Sequence, residues 1–256
     1  MTKNIFFIAM VLLVACIGCD NNTVKSNDNN EDISKDIFSF DMEEVFVKVD
    51  GCDSGLQYCS HVMINYPVFK SEKMKDANKL ILSRITKLMG DNDTVEAVDL
   101  TKSAKDFIKS YESFKKDFPD SRQIWVFRLK SRISFADDEK VSVLIAYDSN
   151  TGGAHGNLGQ LFLNFNSHGR ILDNSEIIED SAKLKQVAEH KFRLRKGIEE
   201  NKSLNESGFS FPDDKFVLPD NIGLADKAFI LYYSPYEIGS YAIGPTQIII
   251  GFDELK

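Results

Sequence analysis

Between residues 71 and 117 apolar side chains recur with a helical period, and from residue 122 onward the chain switches to long strand-like runs. After Ser71, residues Met74, Ala77, Ile81, Ile85 and Leu88 fall on one helix face, and Gly90 stops the pattern. A second helix is predicted over 101–117, with Ala104, Ile108 and Tyr111 apolar and Pro119 ending it. Strands are predicted at 43–50 and at 60–69, the latter closed by Pro67, and then at 123–135, 140–147 and 158–165. A short Ala-Asp-Asp-Glu turn joins 123–135 to 140–147. Beyond the turn at 166–169, Ser175 and Glu176 begin a helical patch, and Ser181 caps a longer helix burying Leu184, Val187, Ala188, Phe192 and Ile198. Runs at 215–218, 227–233 and 247–252 read as the last strands. Helices in pairs and strands in runs exclude an alternating α/β fold. They specify α+β, a mainly antiparallel sheet with packed helices, divisible into a smaller N-terminal unit at 38–120 and a C-terminal unit at 121–256.

The first eighteen residues are a targeting segment. Lys3 gives a positive start, and the apolar run from Ile5 to Ala15 is too short for a stable span but suits a signal-peptide core. Leu13-Val14-Ala15-Cys16 resembles the bacterial lipoprotein box, in which the cysteine is acylated and becomes the mature N-terminus. Cys16 is the better acceptor and Cys19 the alternative. An ordinary secreted protein cut near Gly18 is the remaining reading. Each buried methylene contributes roughly 0.8 kcal/mol, so the acyl chains of such a lipoprotein hold it on a membrane surface. Residues 19–37 are rich in Asn, Asp, Ser and Lys and too poor in apolar residues to fold. A flexible chain of that length reaches about 25 Å. It reads as a tether.

Cys52 and Cys59 flank Gly51, Ser54 and Gly55. In an exported chain this spacing predicts a disulfide across a turn, and the rival metal pair lacks companions apart from His61. The formal net charge of −8 disfavours nucleic acid as a partner and is compatible with a cationic one.

Few residues carry chemistry. Tyr147 to Asn157 joins two predicted strands through a loop containing Gly152, Gly153 and Gly156. It reads either as a hairpin whose glycines satisfy awkward dihedrals or as a ligand surface offering His155 and Asn157. Tyr236, Glu237 and Tyr241 lie among Gly239, Gly244 and Pro245, where a bulged crossing and a recognition surface are both readings of the pattern. No metalloprotease, nucleophile-elbow, phosphate-loop or zinc template is present, so no catalytic residue, metal or cofactor is assigned. A His155/Glu237 acid–base pair is the one catalytic arrangement the loops permit. His190 falls within a helix, as a surface or boundary residue.

Thr151-Gly-Gly-Ala-His-Gly-Asn157 and Tyr233-Ser-Pro-Tyr-Glu-Ile-Gly-Ser-Tyr-Ala-Ile-Gly244 together resemble a widespread extracytoplasmic domain of undefined biochemical role. That domain also forms the outer part of RsiV-type anti-sigma factors and accompanies some peptidoglycan deacetylases. Ile64-Asn-Tyr-Pro-Val68 and Asn78 are similar to the smaller domain that commonly precedes it. The sigma-binding part and the catalytic module of those proteins have no counterpart in this chain, so neither activity carries over. The resemblance implies recognition outside the membrane, of a lysozyme-like protein or of peptidoglycan. The expectation is a lipid-anchored binding protein of the cell envelope. An enzyme acting on wall glycan through His155 and Glu237 and a structural envelope lipoprotein are the alternatives.

Overall fold

Apolar residues three and four apart turn Lys75–Leu88 (α1) and Leu100–Asp117 (α2) into helices with one buried face each. The computed structural model describes residues 37–90, 99–153 and 155–256. The leader, Cys16, Cys19 and residues 19–36 of the tether lie outside them. Ala77, Ile81 and Ile85 of α1 and Leu100, Ala104 and Ile108 of α2 are buried against a five-stranded sheet. Each large aliphatic side chain so buried contributes roughly 1.5–3 kcal/mol.

That sheet is ordered β1-β2-β3-β4-β5, comprising Phe40–Lys48, His61–Phe69, Val126–Ala136, Lys140–Asn150 and Asn157–Asn166. All its pairings are antiparallel except β2 with β3, which the α1–α2 crossover makes parallel. The sheet is continuous across residue 120, so strands from both sequence-predicted units share it. Pro67 does not end β2; it pairs with Met42, and the strand runs on to Phe69. Alternation aims its nitrogen toward the side of β3, but β3 pairs only as far as Asn65, so the missing N–H costs no ladder bond. Asn78 of α1 takes over there, accepting from Phe69 N–H and donating to Phe69 C=O, both at 2.9 Å. Cys52 and Cys59 are disulfide-bonded in the β1–β2 connection. His61 is buried beside them, its Nδ1 2.8 Å from Cys59 O.

A second, three-stranded antiparallel sheet, β6-β7-β8, comprises Ile222–Ala225, Ala228–Tyr233 and Thr246–Gly251. The predicted strand at 215–218 is irregular chain; Phe216 is buried, and Val217 O accepts from the Tyr233 hydroxyl at 2.6 Å. Local apolarity there serves the core without a strand partner. One face of this sheet buries Phe229, Leu231, Tyr233, Ile248 and Ile250 against Ser181–Lys196 (α4), which follows the short helix Asn174–Ile177 (α3). Asp180, not Ser181, caps α4, accepting from Lys183 N–H. Lys191 and Arg195 of α4 reach the carbonyls of Ile249 and Gln247 on edge strand β8, which blunts that edge against foreign strands. The opposite face meets the first sheet through Leu144, Phe162, Ile230 and Tyr232. The layers therefore run helices, sheet, sheet, helix. No helix among the described residues is long and apolar enough to cross a membrane.

Candidate functional site

Strands β4 and β5 end side by side at Asn150 and Asn157, leaving residues 151–156 as the loop between them. Gly152 has φ +87° and donates its N–H to Asn150 Oδ1 at 2.8 Å. Gln123 Nε2 donates to Gly152 O at 3.0 Å, and the Gln123 amide occupies the space a Cβ on Gly152 would need. The loop is thus pinned from outside the hairpin, which presents His155 to solvent.

The second segment leaves β7 at Tyr233 and turns at once. Glu237 N–H bonds Ser234 O at 3.1 Å, and Ser234 N–H returns to Glu237 Oε2 at 2.7 Å. With Pro235 second and a positive φ third, the turn has the pattern that ordinarily places glycine at the third position. That position is Tyr236, at φ +71° and 67% exposed. A bulky residue in the left-handed region costs on the order of 1–3 kcal/mol, a cost found where structure serves function. Ile238 next to it is buried and structural.

These segments, about eighty residues apart, meet. The His155 and Tyr241 rings stack at 4.4 Å between centroids with 21° between planes. Tyr241 in turn lies 5.4 Å from Tyr236. The Tyr241 hydroxyl donates to Gly156 O at 3.0 Å, locking turn to loop. Three rings therefore form one partly open aromatic row, His155–Tyr241–Tyr236. Such rings offer apolar faces with polar edges, the combination that recognition surfaces favour.

Glu237 stands beside this row. Packing around its carboxyl raises the pKa above the usual carboxylate range, Asp220's charge adds to the rise, and the Ser234 N–H opposes it. Among the described residues no hydrogen bond or ion pair joins Glu237 to His155. Burial raises the Tyr233 and Tyr232 hydroxyls as well, which keeps both phenols protonated within the core. Asn157 opens β5, exposed and opposite Ser149, outside the ring contacts. Among the described residues no group of His, Cys, Asp and Glu has the arrangement of a metal site. His168 lies in an exposed turn, and His190 is exposed on α4, 3.4 Å from Glu200.

Two locking residues escaped the sequence reading. Gln123 carries no local signal. Asn221 bridges the free edge of β5, accepting from Phe162 N–H at 2.9 Å and donating to Gln160 O at 2.7 Å.

Residues 175–253 match a family model described as a protein of unknown function, DUF3298, and residues 55–158 match one described as deacetylase PdaC. The row is assembled from both matched regions: His155 belongs to the first along the chain, Tyr236 and Tyr241 to the second. A crystal structure of a DUF3298 family member from Bacteroides fragilis superposes with a TM-score of 0.60 at 20% identity, over 86% of this chain and 93% of that one. One from Pseudomonas aeruginosa gives 0.58 at 18% identity, over 87% and 94%. These likenesses establish a shared α+β fold. No curated protein matches the chain.

Proposed function

We propose that the protein is an extracytoplasmic, envelope-associated binding protein that lays a cell-wall glycan on the His155–Tyr241–Tyr236 row. The observation that carries the reading is Tyr236: an aromatic residue held in a backbone conformation suited to glycine, with its ring open to solvent and packed on Tyr241. Sugar rings present apolar C–H faces that lie flat on such rings, and Glu237 and Asn157 supply polar groups alongside. The matched deacetylase-type model and the Cys52–Cys59 disulfide support a location outside the cytoplasm. Acylation at Cys16, with Cys19 as the alternative acceptor, and the tether would then hold the folded part near a membrane surface.

The net charge of −8 favours a second partner class, a cationic protein of the lysozyme kind. Co-sedimentation with purified insoluble peptidoglycan, run beside a pull-down on lysozyme across a salt series, separates the two. Tyr241 is the middle ring, stacked on His155 and tilted against Tyr236. An aromatic contact with the ligand is worth about 0.5–1.5 kcal/mol and the substitution also releases the two neighbouring rings, so Tyr241→Ala is expected to weaken wall binding by about tenfold. Retention of the variant equal to that of the unsubstituted protein would refute the glycan reading, and retention on lysozyme alone would transfer the function to the protein partner.

A further inference from the structure

The edges of the two sheets are β1, β5, β6 and β8, and among the described residues all but β1 are occupied. Along β5, Asn221 bonds Phe162 N–H and Gln160 O, and Leu172 N–H bonds Asn164 O beyond them. Along β8, Lys191 and Arg195 take the carbonyls of Ile249 and Gln247. Along β6, Ser134 and Asn164 of the facing sheet donate to Leu224 O and Ile222 O, and Leu224 N–H donates to Ser142 Oγ.

Along β1 the backbone is open. Lys70 N–H bonds Ser39 O and Val49 N–H bonds Ser60 O, so odd-numbered residues aim their backbone groups at β2. The N–H and C=O of Phe40, Met42, Glu44, Phe46 and Lys48 therefore point away from the sheet, and among the described residues no hydrogen bond reaches them. The strand runs nine residues without a proline or a bulge. Met42 and Phe46 are exposed, and Met63, opposite Phe46 on β2, extends the apolar surface. A long, regular edge with apolar side chains is a template for another strand.

The side chains of β1 match those of β1 itself. Antiparallel pairing with a second copy about an axis at Phe46 sets the two Phe46 rings side by side and Glu44 opposite Lys48, twice, all on one face of the sheet. An axis at Glu44 would oppose two glutamates, and one at Val45 would set Glu44 against Phe46. Lys48 now rests on Cys52 O at 2.9 Å and lies 3.6 Å from exposed Asp53, a surface contact weak enough to exchange. We infer that β1 joins two copies of this chain edge to edge, merging their five-stranded sheets into one across a two-fold axis. The inference is independent of the glycan reading.

Sedimentation velocity of the intact protein across a concentration series is the first test, and a monomer–dimer equilibrium is expected. Glu44→Lys or Lys48→Glu alone turns two attractions into two repulsions and is expected to weaken the dimer about tenfold. The double reversal should restore it, which a folding defect would not do. The second test is cross-linking under mild oxidation. A hydrogen-bonded antiparallel pair holds its Cα atoms about 5.5 Å apart, within disulfide reach. Phe46→Cys should therefore give a covalent dimer above the level of the unsubstituted protein, whereas Ile249→Cys, equally exposed but on the occupied β8 edge, should not. A monomer at every concentration would overturn the inference and leave the edge to a foreign strand. Cross-linking of Phe46→Cys no greater than that of Ile249→Cys, or a double reversal no tighter than the single ones, would overturn it equally.

Discussion

Replacing Phe192 by alanine is expected to lower the unfolding midpoint sharply, because its ring closes the second core. Phe192 is fully buried, and its ring lies 4.9, 5.4 and 5.5 Å from those of Phe209, Phe211 and Phe216, with Tyr233 at 6.4 Å. Five aromatic residues converge there between α4 and the second sheet. Truncating a buried Phe costs about 3–5 kcal/mol, because the cavity collapses only in part. In a domain of this size each kcal/mol moves the midpoint by about 2–4 °C, so the expected fall is roughly 6–20 °C. Leu194, two residues away and 68% exposed, is the control; Leu194→Ala should stay within about 0.5 kcal/mol of the unsubstituted protein. Calorimetry that finds the two variants alike would mean that α4 does not close the second core.

Gly223→Val is the second large effect, and it reports on the contact between the sheets. A Cβ at Gly223 would sit 1.9 Å from the Phe162 ring, itself only 6% exposed. Neither partner can step aside: Phe162 N–H is held by Asn221, and Gly223 is paired with Ile230. Overpacking of this kind costs about 1–3 kcal/mol, and more where the backbone is held on both sides. The decisive comparison is the double variant. Gly223→Val with Phe162→Ala should be less destabilised than the sum of the single changes, since removing the ring makes room for the valine. Strict additivity in chemical denaturation would show that glycine and ring do not meet.

Much of this architecture was legible because its elements carry strong periodic signals. Met74, Ala77, Ile81 and Ile85 specified α1, and Leu184, Ala188 and Phe192 specified α4. Residues 215–218 failed for a physical reason. A short apolar run looks alike whether it forms a strand or drops one aromatic, Phe216, into a core. The true strand, Ile222–Ala225, is only four residues long and contains the glycine needed to lie under Phe162. No alternation announces it. Pro67 misled because its effect depends on how far a neighbouring strand extends, which no local pattern encodes.

The candidate site was half legible. Both segments were singled out, and the structure brings together His155, Tyr236 and Tyr241 from them. The contact itself arises from tertiary packing: the Tyr241 hydroxyl on Gly156 O and the Gln123 amide on Gly152 O span 85 and 29 residues. Of the three loop glycines only Gly152 adopts a positive φ, and the most informative dihedral belongs to a tyrosine. Residue type alone gave no hint of that, since Tyr is among the residues least suited to a left-handed turn position.

We propose that loop 151–156 and turn 234–241 form a single recognition surface for wall glycan. It is tested most directly by titrating a soluble tetramer of N-acetylglucosamine into the protein and following assigned ¹H–¹⁵N and aromatic signals. Saturable shifts are expected at His155, Tyr236, Glu237 and Tyr241, moving along one binding curve and abolished together in Tyr241→Ala. Saturable shifts confined to other surfaces, or none at these four residues at millimolar sugar, would contradict it.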